Sequence, residues 1–170
     1  MTVKQLALRD ELWPQISAAI EGALPEPAAR KLLCQIAELP IQPSRATRTL
    51  GAYVSKAGRP VCIRLQFAQE SDSLRNTFLH ELAHLCDHLC NQSGQRYRRA
   101  HGPDWQQWAK LLGTEPKRCG RSAALETLYQ QRLKLVAVCQ QCGSEFHRTR
   151  RLNSRRNYVH SKCGGRLRPV

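Results

Sequence analysis

A chain of 170 residues, 41% of them hydrophobic, can bury one substantial core with a small appendage. No apolar run approaches the roughly 20 residues that span a bilayer, so the sequence predicts no membrane partner. The net charge of +14 is uneven: residues 1–93 carry 10 Lys and Arg against 9 Asp and Glu, whereas residues 94–170 carry 17 against 4. Positive charge concentrated in this way favours a polyanionic partner, and we expect DNA.

The first 43 residues predict helices. Apolar side chains recur at helical spacing over 3–22, and a second helix is predicted over 28–39, where Pro27 can occupy its first turn. The acidic residues Asp10 and Glu21 interrupt any apolar core of a signal peptide. We therefore expect a cytoplasmic protein, associated with the nucleoid in a bacterium or nuclear in a eukaryote.

A β-hairpin and a long helix are predicted next. Segments 50–55 and 61–67 are rich in strand-forming residues and flank a turn-rich connection. A helix over 72–92 follows. After a basic loop at 93–103, the sequence predicts helices over 104–112 and 121–134 and a separate cysteine-bearing tail from 136.

Eight cysteines in a chain without an export signal favour metal binding or free thiols over disulfides. Four of them lie in apolar surroundings and are predicted to be buried, inert thiols. These four are Cys34, Cys62, Cys86 and Cys90.

The segment TFLHELAHLCDH at 77–88 contains an HExxH motif. His80 and His84 are four residues apart, so on a helix they occupy one face. Two imidazoles at that spacing can bind one zinc ion at about 2.0–2.1 Å each. Glu81, beside the first histidine, can face a water molecule on the ion, so the motif predicts two ligands and a general base.

A third ligand is needed, because a catalytic zinc has three protein ligands and one open position. His88 is excluded, since a rise of about 1.5 Å per residue places it about 12 Å beyond His80. The HExxHxxGxxH class is also excluded, because Asp87 and Cys90 occupy its Gly and His positions.

Downstream residues offer three candidates for the third ligand. Glu115 or Glu126 could supply a carboxylate from a later helix. His101, in AHGPDW, is the better candidate, because a Gly-Pro turn before a new helix can direct it back while Trp105 fixes the turn.

Residues 44–168 resemble the SprT-like metalloproteases, a family that includes proteases of DNA–protein crosslinks. The likeness consists of TRTLGAYV, VCIRLQF, HELAH, the HGPDW turn and a basic zinc-binding tail. It implies that His80, His84 and His101 bind the catalytic zinc and that Glu81 is the catalytic glutamate.

The resemblance also implies an α+β fold with a zincin-like core of helices and a small antiparallel sheet. We expect an N-terminal helical segment at 1–43, which matches no motif, the SprT-like core at 44–135 and a basic, zinc-ribbon-like subdomain at 136–170.

The tail predicts a second, structural zinc site. A CxxC pair is followed by HSKCGG, which supplies a second pair of ligands at suitable spacing. The predicted ligands are Cys139, Cys142, His160 and Cys163. Gly143 and Gly164 permit tight turns beside the sulfurs. His147 remains an alternative to His160, and a redox role for the CxxC pair is the other alternative.

Basic residues between the two ligand pairs predict a nucleic-acid surface. Arginines bind phosphates, and the nearby Phe146 and Tyr158 could stack on unpaired bases or pack within the ribbon. The predicted DNA contacts are Arg148, Arg150, Arg151, Arg155 and Arg156.

These patterns predict a zinc-dependent protease, with strand 61–67 binding the substrate backbone. The resemblance, together with the positive charge of the tail, implies that its substrates are proteins attached to DNA. The alternative is a non-catalytic, regulatory zinc protein that binds nucleic acid. In that protein, Cys119 or Asp104 would close the HExxH site as a fourth ligand.

Overall fold

The computed structural model describes residues 1–91, 94, 96–98, 100–117 and 120–170. These residues divide into an N-terminal unit, 1–124, and a C-terminal unit, 125–170. They contain six helices and two three-stranded sheets, which confirms the predicted α+β class.

Three helices open the N-terminal unit: α1 (Val3–Arg9), α2 (Trp13–Ala23) and α3 (Glu26–Ala37). The prediction of one helix before α3 is wrong, because the chain turns at Glu11, whose φ is 56°. Pro14 then lies in the first turn of α2, where its missing N–H is tolerated. The apolar faces of all three helices contribute to one hydrophobic core.

The sheet of this unit contains β1 (Ile41–Pro43), β2 (Gly51–Lys56) and β3 (Arg59–Leu65) in the order β1-β3-β2. The predicted hairpin is confirmed as β2 and β3, which are antiparallel and joined by a tight turn whose two central residues have positive φ. Strand β1, which pairs parallel to β3, was not predicted. Strand β3 is therefore central, and β2 forms an edge.

Helix α4 (Ser71–Asn91) contains the HExxH motif and matches the predicted long helix closely. Its residues from Thr77 to Asp87 are buried except His80, which is partly exposed, because it packs against the sheet, α3 and α5 (Pro103–Leu111). Helix α6 (Ala123–Arg132) follows. No helix in the described ranges combines the length and apolarity needed to cross a membrane.

The C-terminal unit contains an antiparallel sheet of β4 (Lys134–Cys139), β5 (Glu145–Arg148) and β6 (Leu167–Pro169) in the order β5-β4-β6. Gly143 and Gly164 have φ values of 72° and 73°. Both lie in the left-handed region that favours glycine, as the predicted tight turns require.

Candidate metal centres and active site

Three imidazoles meet at one point in the N-terminal unit. The Nε2 atoms of His80, His84 and His101 are each 3.2 Å from the other two. Tetrahedral ligands with zinc–nitrogen bonds of about 2.0–2.1 Å would be roughly 3.3 Å apart. The spacing of the three nitrogens therefore fits one zinc ion.

His101 reaches the helix from a strained backbone. Its φ is 65°, immediately before Gly102 and Pro103 start α5. Trp105 is fully buried beneath the three imidazoles, with ring centroids 4.5–5.1 Å from theirs. Its indole N–H points at the carbonyl oxygen of His80 at 3.5 Å. The Gly-Pro turn and the indole thus hold His101 against α4.

Desolvation keeps the imidazoles of His80 and His84 neutral. Desolvation, reinforced by His101, lowers the pKa of His80 to about 4. Desolvation and the two neighbouring histidines lower the pKa of His84 to about 3. Both rings are therefore uncharged at neutral pH, with lone pairs available as zinc ligands require.

Glu81 is 7% exposed, and its Oε2 accepts a hydrogen bond from the main-chain N–H of Tyr53 at 2.7 Å. Burial raises the pKa of Glu81 to about 7, against the lowering effect of that bond. A cavity of about 620 Å³ opens beside Glu81 and His80, and Gly51 at the start of β2 also lines it. Glu81 can thus exchange protons with a molecule in the cavity.

The other ligand candidates do not join the imidazoles. Within the described ranges, the group of possible metal-binding side chains here contains the three histidines but not Glu115, Glu126 or Asp104. Cys119 lies outside the described residues. His88 does not belong to the group either; it is fully buried, with Nδ1 2.6 Å from the Tyr53 hydroxyl oxygen.

A second cluster lies in the C-terminal unit and contains Cys139, Cys142, His160 and Cys163. The Sγ atom of Cys163 is 3.5 Å from each of the other two sulfurs. His160 Nδ1 is 3.2 Å from the sulfurs of Cys142 and Cys163. These separations exceed the disulfide bond length of about 2.05 Å and suit a tetrahedral Cys₃His zinc site.

Local hydrogen bonds favour the thiolate form of Cys142 in this cluster. The hydroxyl of Ser144 lies 3.2 Å from Cys142 Sγ, and this contact is the largest of the effects that lower the pKa of Cys142 to about 6. A thiolate is the form that binds zinc. His147, the alternative ligand, lies instead 3.7 Å from the Glu145 carboxylate.

Gly165 is a further residue of this cluster that the sequence analysis missed. A Cβ atom built there would lie 2.6 Å from the sulfur of Cys139 and 3.3 Å from that of Cys163. Only glycine leaves both sulfurs in place. The two consecutive glycines after Cys163 could have indicated this close contact, but the sequence analysis assigned a role only to the first of them, Gly164.

The five predicted DNA-binding arginines are all exposed. Of these five, Arg156 lines a cavity of about 280 Å³ in the C-terminal unit. The same cavity is lined by Tyr158 and by Arg166 and Arg168, which were not among the predicted contacts.

The prediction that strand 61–67 binds the substrate is wrong in its choice of strand. Strand β3, which includes most of that segment, pairs with β2 along its length and with β1 over residues 63–65. Strand β2 is an edge of the sheet and contacts Glu81 through the main-chain N–H of Tyr53.

A model of the SprT-like family matches residues 29–125 of this chain. The match begins earlier than the resemblance predicted and includes the HExxH motif and the HGPDW turn, whereas the C-terminal cluster lies outside it. No solved structure matches the chain.

Proposed function

Because this chain belongs to the SprT-like family, we propose that it is a zinc-dependent protease that cleaves proteins bound or crosslinked to DNA. The observation that carries the proposal is the triangle of three imidazole nitrogens beside the buried carboxylate of Glu81. Three ligands leave one position for a substrate or water, as in catalytic zinc sites, whereas structural sites have four protein ligands.

His80, His84 and His101 would hold the zinc ion. When bound, zinc supplies Lewis-acid polarisation of the scissile carbonyl and acidifies a water molecule. Glu81 takes a proton from the attacking water and then donates it to the amine of the leaving peptide. Without metal, burial raises the pKa of Glu81 toward neutrality, the range in which one carboxyl group can both take and give a proton.

The substrate would bind along β2. Strand β2 packs against α4, the main-chain N–H of Tyr53 binds Glu81, and Leu50 and Gly51 line the cavity beside Glu81. An extended peptide can pair with the outward main-chain groups of an edge strand, which selects for backbone rather than side chains. Such binding suits a protease that acts on many different proteins.

The C-terminal unit would hold nucleic acid. Residues 139–170 carry eight Lys and Arg against one acidic residue, Glu145. Arg156, Arg166 and Arg168 surround one cavity together with Tyr158, which combines phosphate-binding groups with an aromatic ring. This composition favours sequence-tolerant binding of nucleic acid with unpaired bases. We propose that the C-terminal unit thereby brings the protease to proteins on DNA.

The test is cleavage of a small basic protein by the full chain, with and without single-stranded DNA. Glu81→Gln should lower the cleavage rate by roughly 10²–10⁴-fold, because an amide cannot accept the proton. Glu126→Gln is the matched control, since Glu126 is exposed on α6 and should leave the rate unchanged. Near wild-type cleavage by Glu81→Gln would overturn the proposed mechanism. If DNA does not accelerate cleavage, the proposal that the protease is directed to proteins on DNA is wrong.

A further inference from the structure

The hydroxyl of Tyr97 connects a zinc-ligand histidine to a buried carboxylate. Its oxygen lies 2.9 Å from His84 Nδ1, and its O–H donates to Asp87 Oδ2 at 2.8 Å. Asp87 is 1% exposed, and its other oxygen accepts a hydrogen bond from the side-chain amide of Asn91 at 3.0 Å. The three groups form one hydrogen-bonded chain from Asp87 through Tyr97 to His84.

The proton count along this chain fixes the tautomer of His84. A phenol has one proton, and an ionised carboxylate can only accept hydrogen bonds. Because the Tyr97 proton points at Asp87, the Tyr97 oxygen must accept a hydrogen bond from Nδ1–H of His84 at the other contact. His84 therefore carries its proton on Nδ1 and has a free lone pair on Nε2, the atom that faces His80 and His101.

Packing holds the Tyr97 ring in place. It stacks on His88, with ring centroids 5.3 Å apart and planes at 26°, and it meets the edge of Tyr53 at 5.8 Å. Tyr53 in turn bonds His88 through its hydroxyl and Glu81 through its main-chain N–H. The hydroxyl of Tyr97 thus has little freedom to leave the line between His84 and Asp87.

We propose that Tyr97 and Asp87 are positioning residues that fix His84 in the tautomer and orientation that bind zinc. The inference rests on the proposed zinc site of the three imidazoles. Groups that orient metal-binding histidines typically change metal affinity by about 10–100-fold when they are removed. We expect a loss of that size when the Tyr97 hydroxyl is removed, although Tyr97 is not one of the three imidazole ligands.

The experiment measures zinc affinity of the full chain by competition with a chromogenic chelator. Tyr97→Phe should weaken one of two zinc sites by about 10–100-fold. The cysteine cluster should keep its affinity and serves as the internal standard. Tyr129→Phe is the matched control, because Tyr129 lies on α6 and does not belong to the imidazole group, and it should leave the imidazole site unchanged.

A double-mutant cycle separates positioning from loss of structure. Asp87→Asn should weaken zinc binding in the wild-type background but have no further effect when Tyr97 is already Phe, because Asp87 acts through the phenol. Additive losses, or equal zinc affinity of Tyr97→Phe and wild type, would overturn the inference. Circular dichroism of the metal-free variants identifies any that fail to fold. If Asp87→Asn fails to fold, the zinc affinity of Tyr97→Phe against wild type decides alone.

Failure of the underlying proposal gives a different result. If the wild-type chain binds zinc only at the cysteine cluster, the imidazole site itself is refuted, and the role of Tyr97 falls with it. If wild type binds two zinc ions and Tyr97→Phe binds both equally well, the inference alone is refuted.

Discussion

The main-chain N–H of Tyr53 donates to the carboxylate of Glu81 across a distance of 2.7 Å. This bond joins the edge strand β2 to the proposed general base on α4. The base is therefore positioned by the same strand that would pair with the substrate. Any change that moves β2 away from α4 should affect catalysis without removing a single zinc ligand.

Gly51 offers a direct test of this coupling. A Cβ atom there would lie 2.5 Å from Thr77 Cγ2 and 3.1 Å from Glu81 Cγ, so Gly51→Ala must displace the Thr77 side chain, β2 or the helix. We expect cleavage to fall by at least about tenfold, since misplacement by 1 Å can lower rates by about 10². Zinc content should remain unchanged, as measured by elemental analysis.

The matched rescue is Thr77→Ser, which removes Cγ2 but retains the hydroxyl that donates to Gln69. Gly51→Ala combined with Thr77→Ser should regain part of the lost activity. If Gly51→Ala alone cleaves like wild type, β2 does not position Glu81 as described.

The buried imidazoles should make the metal-free protein sensitive to mild acid. His80 and His84 have folded pKa values of about 4 and 3, below the ordinary value of 6.5. Below pH 6.5 the unfolded chain binds protons at these histidines that the folded chain does not, so their contribution to stability falls as the pH decreases toward 4 and 3. Glu81, whose folded pKa is about 7, contributes in the opposite sense. Urea unfolding in excess chelator between pH 7.5 and 5 measures this slope.

The control for the pH effect uses a surface histidine. His84→Gln should flatten the loss of stability between pH 7.5 and 5, because a buried titrating group is gone. His147→Gln should leave the slope as in wild type, since His147 is exposed. Equal slopes in the two variants would contradict the assigned burial of His84.

Gly165 predicts a strict steric requirement in the cysteine cluster. Gly165→Ala would place Cβ 2.6 Å from the sulfur of Cys139, and the sulfur must move. We expect faster transfer of zinc from this cluster to a chelator and a lower melting temperature of the C-terminal unit, because small zinc sites couple metal binding to folding. Gly22→Ala, with open space around its Cβ, should change neither property. Unaltered zinc transfer in Gly165→Ala would mean that the sulfurs are not held as described.

The arginine-lined cavity predicts the salt dependence of DNA binding. Arg166→Gln with Arg168→Gln should flatten the slope of log affinity against log salt by about 0.7–0.9 for each lost phosphate contact. The double variant Arg9→Gln and Arg30→Gln is the control, because it removes the same charge from the N-terminal unit. Titration of a fluorescent oligonucleotide at several salt concentrations measures both. Equal slopes in the two double variants would remove the cavity from the DNA interface.

Local sequence patterns predicted those features of the site and fold that depend only on residues close together in the chain. His80, Glu81 and His84 lie on one helix, where spacing alone fixes their relative positions. The hairpin was predictable for the same reason, since strand-forming residues flank a short turn. The break near Glu11 was missed because the apolar spacing continues across it, and only tertiary packing shows that the chain turns there.

Long-range contacts explain the remaining errors and omissions. Strand β1 is three residues long, follows Pro40 and ends at Pro43. Its pairing with β3 cannot be deduced from its own sequence. Tyr97 gains its role from two residues of α4, and Gly165 from a sulfur 26 positions earlier. Such roles depend on which side chains the fold brings together, and no periodicity in the sequence encodes them.

Zinc stoichiometry in His101→Ala and His88→Ala tests the central claim most directly. Wild type should bind two zinc ions per chain by elemental analysis, because each of the two clusters fits one ion. His101→Ala should bind one and lose cleavage, whereas His88→Ala should retain two, since His88 lies outside the imidazole group. Two zinc ions and normal cleavage in His101→Ala would contradict the assigned site.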